Sequence, residues 1–264
     1  MINWVIQEKP FKEDLASLKS EIVKQGHGLH LVEYSSHEKQ NVPALGEATV
    51  FYGSLEMAQK LLRQVNWIGL FCDLPKLKCS TYYPELGEFL LNSPYMFFPL
   101  GDYENLKSFI FRNLGFNSDV FLRPDSGFKL FTGGLINEAE SLNHFLCGSH
   151  FFKSDLVLAA KPAKIWREWR LVACGEKVVA ASQYQKYGLL ETEKGCPPEV
   201  LELGNKIAKR WQPTPAFTID IAETKDGYFL LELNSFSCSG LYECEAGEIV
   251  REVSQLVLNL QNYY

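Results

Sequence analysis

Apolar and polar positions in the first quarter of the chain alternate between two periods. INWVIQ carries the run of a strand, and Phe11, Leu15, Leu18 and Ile22 then recur at helical spacing before Gly26, a natural stop for a helix. HGLHLVEY resumes a strand. ATVFYGS predicts the next one, LEMAQKLLRQ places Leu55, Ala58, Leu61, Leu62 and Val65 on one helical stripe, and WIGLF returns to strand. Strands separated by helices are joined by crossovers, so residues 1 to about 75 are expected to form an α/β unit on a largely parallel sheet.

The pattern changes twice after that. Residues 76 to 100 are aromatic and turn-rich (CSTYYPELGEFLLNSPYMFFPLG) and read as a crossing segment with a short helix. Asp102 can cap a helix whose Leu106, Phe109, Ile110 and Leu114 face a core, with Gly115 ending it. Strands then come in succession: DVFLRP, KLFTGG, DLVLAA, IWREWRLVAC, EKVVAASQY, FTIDIAE and YFLLELN. Helices interrupt them around 137 to 147 and from Pro197 to Trp211. A last helix carries Ile249, Val250, Val253, Leu256, Val257 and Leu260. Many strands with few helices between them predict an α+β region on antiparallel sheet, with a boundary near residue 100 that divides the chain into 1–100 and 101–264.

Composition narrows the function classes. The 264 residues are 46% hydrophobic and 22% charged, which suits a globular chain with a real core and excludes disorder and fibrous repeats. Against 32 acidic residues stand 26 basic ones, a net charge of -6, so no broad positive field is available for a nucleic acid. No apolar run reaches the roughly 18 residues that span a bilayer, and the opening MINWVIQEKPFKED turns polar where a secretory signal would be apolar. A cytoplasmic protein without membrane partners is expected. The seven cysteines form no C-x2-C pair and are expected as reduced thiols, several of them buried. The histidines make no H-E-x-x-H, so a metal here would be held by oxygens.

Three stretches carry candidate chemistry. In FTIDIAETKDGYFLLELN a turn at Lys225-Asp226-Gly227 predicts a hairpin. Glu232 and Asn234 project from one strand face, Leu231 and Leu233 from the other, and folding the hairpin brings Asp220 to the end that bears Glu232 and Asn234. Two carboxylates and an amide are what Mg2+ on nucleotide phosphates requires, although the same residues would also suit a sheet face in water. In FLRPDSGFKLFTGG, Arg123 and Lys129 flank small residues up to Gly133 and Gly134. Backbone N–H groups could approach a phosphate there, and a plain hairpin is the alternative. In IWREWRLVACGEKVVAASQY, Glu168 and Arg170 share a face, either as a functional pair or as a cross-strand surface ion pair. No G-x4-G-K-[ST], G-x-G-x-x-G or G-x-S-x-G occurs.

In this order, FLRPDSGFKLFTGG, WREWRLV with SQYQKYG, and FTIDIAE with LLELNSFSCSGLY resemble the ATP-grasp superfamily, and within it a small clade of ATP-grasp domains met in bacteria and their phages. With VFYGS, CSTYYP and LLNSPYMFFPL the resemblance extends over residues 48 to 245. Its most specific part is the D-x11-E-x-N spacing of Asp220, Glu232 and Asn234. The resemblance implies an α/β substrate-side half followed by two α+β lobes, with largely antiparallel sheets, that enclose ATP. It implies ATP and Mg2+ as cofactors and Asp220, Glu232 and Asn234 as metal ligands. Arg123 stands where relatives carry a phosphate-contacting Lys. The loop from Asp125 to Gly134, with Lys129 and Gly133, is similar to the flap over the triphosphate. DLVLAA, around Leu156 and Leu158, resembles the adenine-binding linker, with Asp155 in place of a Glu. Arg170 resembles a phosphate or intermediate contact, oriented by Glu168. Thr218 replaces an Arg usual two positions before the first metal Asp, which leaves Arg170 or Arg123 to meet the developing charge.

The activity implied is an ATP-dependent, ADP-forming carboxylate-amine ligase working through an acyl phosphate, with Arg170, Lys129 and Arg123 as the catalytic cations. Its partners would be a carboxylate and an amine, either small molecules or a peptide or protein. A kinase on the same fold and a nucleotide-binding protein without turnover are the alternatives. SFSCSGLYECE, which follows the metal strand, should border the acceptor; Cys238 within it is either a reactive thiol or a buried inert one.

Overall fold

The computed structural model describes residues 1–8, 15–33, 42–128 and 130–262. They gather into two compact units, Met1–Asp73 with Ile165–Tyr264, and Leu74–Lys164. The chain therefore leaves the first unit after Asp73 and returns to it at Ile165.

The first unit opens on β1 (Asn3–Gln7), α1 (Leu15–Lys24), β2 (Gly28–Val32) and β3 (Thr49–Tyr52). The three strands lie in the order β2-β1-β3, both outer strands parallel to β1, as the alternation predicts. Leu15, Leu18 and Ile22 are the buried face of α1, and Gly26 supplies the left-handed turn at φ 76. Phe11, expected on the same stripe, lies outside the described residues. Helix α2 (Leu55–Leu61) starts where Ser54 Oγ accepts from the Met57 N–H at 3.2 Å. It buries Met57, Ala58 and Leu61 and stops there, so Leu62, expected on its core stripe, is 44% exposed and Val65 lies beyond the helix.

The strand expected at Trp67–Phe71 is instead a single parallel bridge between Gly69 and Val50. Gly69 bonds β3 through its own N–H and C=O, while at Phe71 the partners are side chains: Ser237 Oγ accepts from the Phe71 N–H at 3.0 Å and Ser235 Oγ donates to Phe71 O at 2.7 Å. Side-chain hydroxyls satisfy what a ladder otherwise would. The bridge demands glycine, because a Cβ on Gly69 would lie 2.6 Å from both Thr49 O and Val50 Cα. Gly69→Ala is therefore expected to cost about 1–3 kcal/mol of folding free energy, read as a lower urea midpoint at unchanged slope. An unmoved midpoint would show that the backbone yields at no cost.

The second unit comprises α3 (Cys79–Leu86), β4 (Tyr95–Pro99), α4 (Tyr103–Leu114), β5 (Asp119–Pro124), β6 (Gly134–Asn137), α5 (Leu142–Phe145) and β7 (Leu156–Ala160). Its sheet is antiparallel in the order β4-β7-β5-β6. β4 falls in the segment read from sequence as a crossing, because YMFFP is too short and aromatic to show a period. Asp102 precedes α4 but makes no side-chain cap bond. Tyr103, Ile110, Phe111 and Leu114 are buried, while Phe109 is 48% exposed, so the core stripe is rotated from the predicted one. β6 begins only at Gly134, where the strand KLFTGG was expected to end, and the helix expected over 137 to 147 is reduced to the four residues of α5. Phe98, Tyr103, Ile110, Leu122, Ile136 and Val157 centre the core of this unit.

On its return the chain builds β8 (Arg167–Cys174), β9 (Lys177–Lys186), β10 (Leu189–Lys194), α6 (Pro198–Arg210), β11 (Ala216–Thr224), β12 (Gly227–Ser235) and α7 (Ala246–Gln261). The five strands are antiparallel in the order β10-β9-β8-β11-β12. β10 is not predicted by the apolar pattern; all six of its residues are exposed, so no apolar alternation marks it. Ile249, Val250, Val253 and Val257 of α7 share one core with Trp4, Val50, Tyr52 and Val172, which ties the parallel sheet to the back of the antiparallel one. Even the Trp4 indole is satisfied there, its Nε1 donating to Ser254 Oγ at 3.1 Å. No helix among the described residues is long and apolar enough to cross a membrane.

Candidate functional site

The hairpin β11–β12 turns at Lys225-Asp226, and near the turn its pairs run Thr224↔Gly227 to Ile221↔Leu230. Continued without interruption, that register would set Asp220 opposite Leu231 and turn its carboxylate to the wrong face. A bulge intervenes. Leu231 is the extra residue, Asp220 pairs with Glu232, and Thr218 pairs with Asn234. Residues opposite one another share a sheet face, so Asp220, Glu232 and Asn234 come together. Asn234 Nδ2 donates to Asp220 Oδ2 at 3.2 Å and to Glu232 Oε1 at 2.9 Å.

Strand β8 lies on the other side of β11 and sets Arg170 directly opposite Asp220. Arg170 Nε and Nη2 donate to Asp220 Oδ1 and Oδ2 at 2.8 and 2.6 Å, and Nη1 donates to Gly240 O at 3.0 Å. Asp220 is 1% exposed and Arg170 8%. Burial alone would lower the guanidinium's affinity for its proton, but the Asp220 charge and the hydrogen bonds to it outweigh burial and raise the pKa well above the usual arginine value. Arg170, expected to pair with Glu168 two positions away on the same face, has Asp220 as its bidentate partner. Glu168 is held elsewhere, accepting from the Tyr184 hydroxyl and, at 2.7 Å, from Gln185 Nε2. Burial pushes the Glu168 carboxyl up, the Tyr184 hydrogen bond opposes that, and the charges of Asp220 and Glu232 add to it.

The segment after β12 is fastened to the parallel sheet. Tyr52 donates to Ser239 O at 2.7 Å, Gly53 N–H to Ser237 O at 2.8 Å, and Ser239 Oγ to Ser235 O at 2.6 Å. The serines at 235, 237 and 239, in the segment expected to border the acceptor, are buried and act as its tethers. Cys238 is half-buried and hydrogen-bonded to the buried Cys72, and its thiol is pushed well up by that bond and by burial. All seven cysteines are free thiols, and Cys72, Cys79 and Cys244 are buried.

The remaining sequence-predicted residues lie on the second unit. Arg123 is half-buried on β5, opposite Leu158 of β7. Gly133 passes so close to it that a Cβ would meet Arg123 Cβ at 2.9 Å. Asp125 is not a loose loop residue; its carboxylate accepts from Ser80 N and Ser80 Oγ at 2.7 and 2.5 Å and so fixes the loop to the start of α3. Lys129 lies outside the described residues. Leu156 and Leu158 belong to an interior strand paired on both sides, with β4 and β5, which commits the backbone there to the ladders.

The donor set fits a magnesium ion. Two carboxylates and one amide are hard oxygen donors, few enough to leave positions for phosphate and water. The amide supplies the structural observation: a donor drawn between Asp220 and Glu232 marks a point where positive charge is favoured, and a half-turn of the Asn234 amide replaces that donor by an oxygen.

Comparison with known proteins gives the family and the fold. The sequence profile of an ATP-grasp domain family, the third family of its clade, matches residues 85–253. No curated protein sequence matches the chain. Among solved structures the fold is similar to that of the D-cycloserine synthetase DcsG, at TM-score 0.71 and 12% identity over 97% of this chain and 100% of that one. It is similar also to a RimK domain ATP-grasp protein from Sphaerobacter thermophilus, at TM-score 0.63 and 16% identity over 97% and 99% of the two chains. The ATP-grasp ligase PsnB, in a complex with a minimal precursor, follows at TM-score 0.57 and 13% identity over 97% and 99%.

Proposed function

Because this chain belongs to that ATP-grasp domain family, we propose that it is an ATP-dependent, ADP-forming ligase that joins a carboxylate to an amine through an acyl phosphate. The observation that carries this reading is the cluster of Asp220, Glu232 and Asn234 with the buried cation Arg170 against it. In it, residues 1–100 serve the substrate side and 101–264 form the ATP-grasp part, working in the cytoplasm. Fold relatives include a ligase solved with a precursor peptide and a synthetase named for a small molecule, and both kinds of substrate belong in a test.

Asp220, Glu232 and Asn234 would hold Mg2+, which when bound draws negative charge off the β- and γ-phosphates. Arg170, Arg123 and Lys129 are assigned to the phosphates, and Gly133 to the loop over them. Leu156 and Leu158 lie on the strand assigned to the adenine side, and Glu168 shapes the face beside Arg170. A carboxylate oxygen of the substrate attacks the γ-phosphorus, and the bond to ADP breaks. The amine nitrogen then attacks the acyl carbon, phosphate leaves with the carboxylate's oxygen, and the nitrogen gives up a proton. No side-chain nucleophile enters. The protein's work is positioning, and fixed positive charge where negative charge develops.

The test is product analysis with amino acids and peptides as acceptors and the carboxylate labelled with oxygen-18. One label is expected in inorganic phosphate for each amide formed, with ADP as the nucleotide product. AMP with pyrophosphate would exclude the acyl-phosphate route, and ADP with the label retained in a stable phosphorylated product would make the protein a kinase.

A further inference from the structure

Two aromatic rings stand against Arg170, and neither has a part in the ligase chemistry above. The guanidinium carbon lies 5.3 Å from the Tyr242 ring centroid and 5.6 Å from that of Tyr184. The rings stack on one another with centroids 4.9 Å apart and planes 9° apart. Both arrive there through irregular backbone. Between β8 and β9 the pairing shifts from Glu168↔Gln185 to Trp169↔Gln183, so Tyr184 is the extra residue of a bulge, and bulges re-aim side chains. Tyr242 sits at φ 51, a left-handed conformation that costs a bulky residue energy glycine would not lose. Two unrelated backbone irregularities deliver two rings to one cation.

We propose that Tyr184 and Tyr242 are positioning residues whose stacked pair holds the Arg170 guanidinium on Asp220 and aims its remaining N–H groups at an anion. A guanidinium has five N–H donors. Three go to Asp220 and Gly240, which leaves one on each Nη. Ring faces attract the cation and also keep water from the Arg170–Asp220 pair, so the pair stays strong and in one orientation. In the nucleotide reading on which this part rests, the anion is a phosphate or the developing acyl phosphate; the holding of Arg170 needs no ligand.

The experiment compares Tyr242→Phe and Tyr184→Phe, which keep the ring, with Tyr242→Leu and Tyr184→Leu, which keep bulk and lose the π face. Without nucleotide, the Arg170 Nε–H is followed by nitrogen-15 NMR, assigned by its loss in Arg170→Lys. Its exchange with water is expected to be slow in the native protein and within about twofold of that in the Phe variants, and about tenfold faster in the Leu variants. With nucleotide, calorimetry should show MgATP binding weakened about three- to tenfold in the Leu variants and little in the Phe ones. Rescue by Phe separates the ring's action on Arg170 from the hydroxyl's bond to Glu168. Leu variants that keep a slow Nε–H would overturn the proposal. So would Phe variants that lose it as fully as Leu. Should a Leu variant not fold, the Met variant at that position is read in the same way. If the native protein binds no MgATP, the nucleotide reading fails, and the exchange measurement still decides whether the rings position Arg170.

Discussion

Glu232→Ala is expected to leave a folded protein that has lost about a hundredfold or more in MgATP affinity or turnover, since a metal contact on a transferring phosphate is worth several kcal/mol. Glu232 is half-buried on β12, so shortening it opens no core cavity, and removing a charge beside Asp220 lowers repulsion within the fold. The expected signature is therefore a split: thermal unfolding without ligand unchanged or slightly raised, and the heat of MgATP binding gone. Glu223→Ala, on the same hairpin but ion-paired with Arg167 at 2.8 Å, is the control and should bind normally. Unchanged calorimetric MgATP binding in folded Glu232→Ala would remove the metal assignment.

Arg170→Met is expected to act in the opposite way, on the fold first. It leaves Asp220, 1% exposed, with its charge and without its bidentate partner. Stranding one member of a buried ion pair typically costs about 3–5 kcal/mol, and replacing both members by apolar groups recovers much of that. Chemical denaturation should thus show a large loss for Arg170→Met and a smaller one for Arg170→Met with Asp220→Leu. If Mg2+ binds at Asp220, millimolar Mg2+ should raise the unfolding temperature more in Arg170→Met than in the native protein, because the ion then supplies the missing positive charge. A single variant as stable as the native chain would mean that water reaches Asp220 and that the pair is not the buried one described.

Both expectations turn on Asp220, and the sequence carried its neighbours unevenly. Glu232 and Asn234 are two apart on one strand, a relation that a period of two preserves wherever the strand goes. The Asp226-Gly227 turn declares the hairpin locally. For the same reason, parallel pairing of the first three strands was legible from strand–helix alternation, and α7 from its apolar spacing. Short elements without a period escaped: β4 in an aromatic run, β10 with every residue exposed, and the false strand at Trp67–Phe71, where serine hydroxyls take the place of a ladder.

What the sequence determined by itself is thus everything written within one element or one tight turn: which segments are strands and helices where a period runs long enough, which residues share a strand face, and the D-x11-E-x-N spacing that marks the family. Tertiary structure alone decided what lies across elements. A single extra residue, Leu231, moves Asp220 from the Leu face to the Glu232 face, and another, Tyr184, sends a ring toward Arg170. Arg170 takes Asp220 rather than Glu168 because β8 and β11 meet at that register, while Glu168 is claimed by Tyr184 and Gln185. Pairing across strands is a choice between registers that differ by one residue, and each such step inverts the face. Only the packed sheet, with its buried charges required to find partners, settles which register holds.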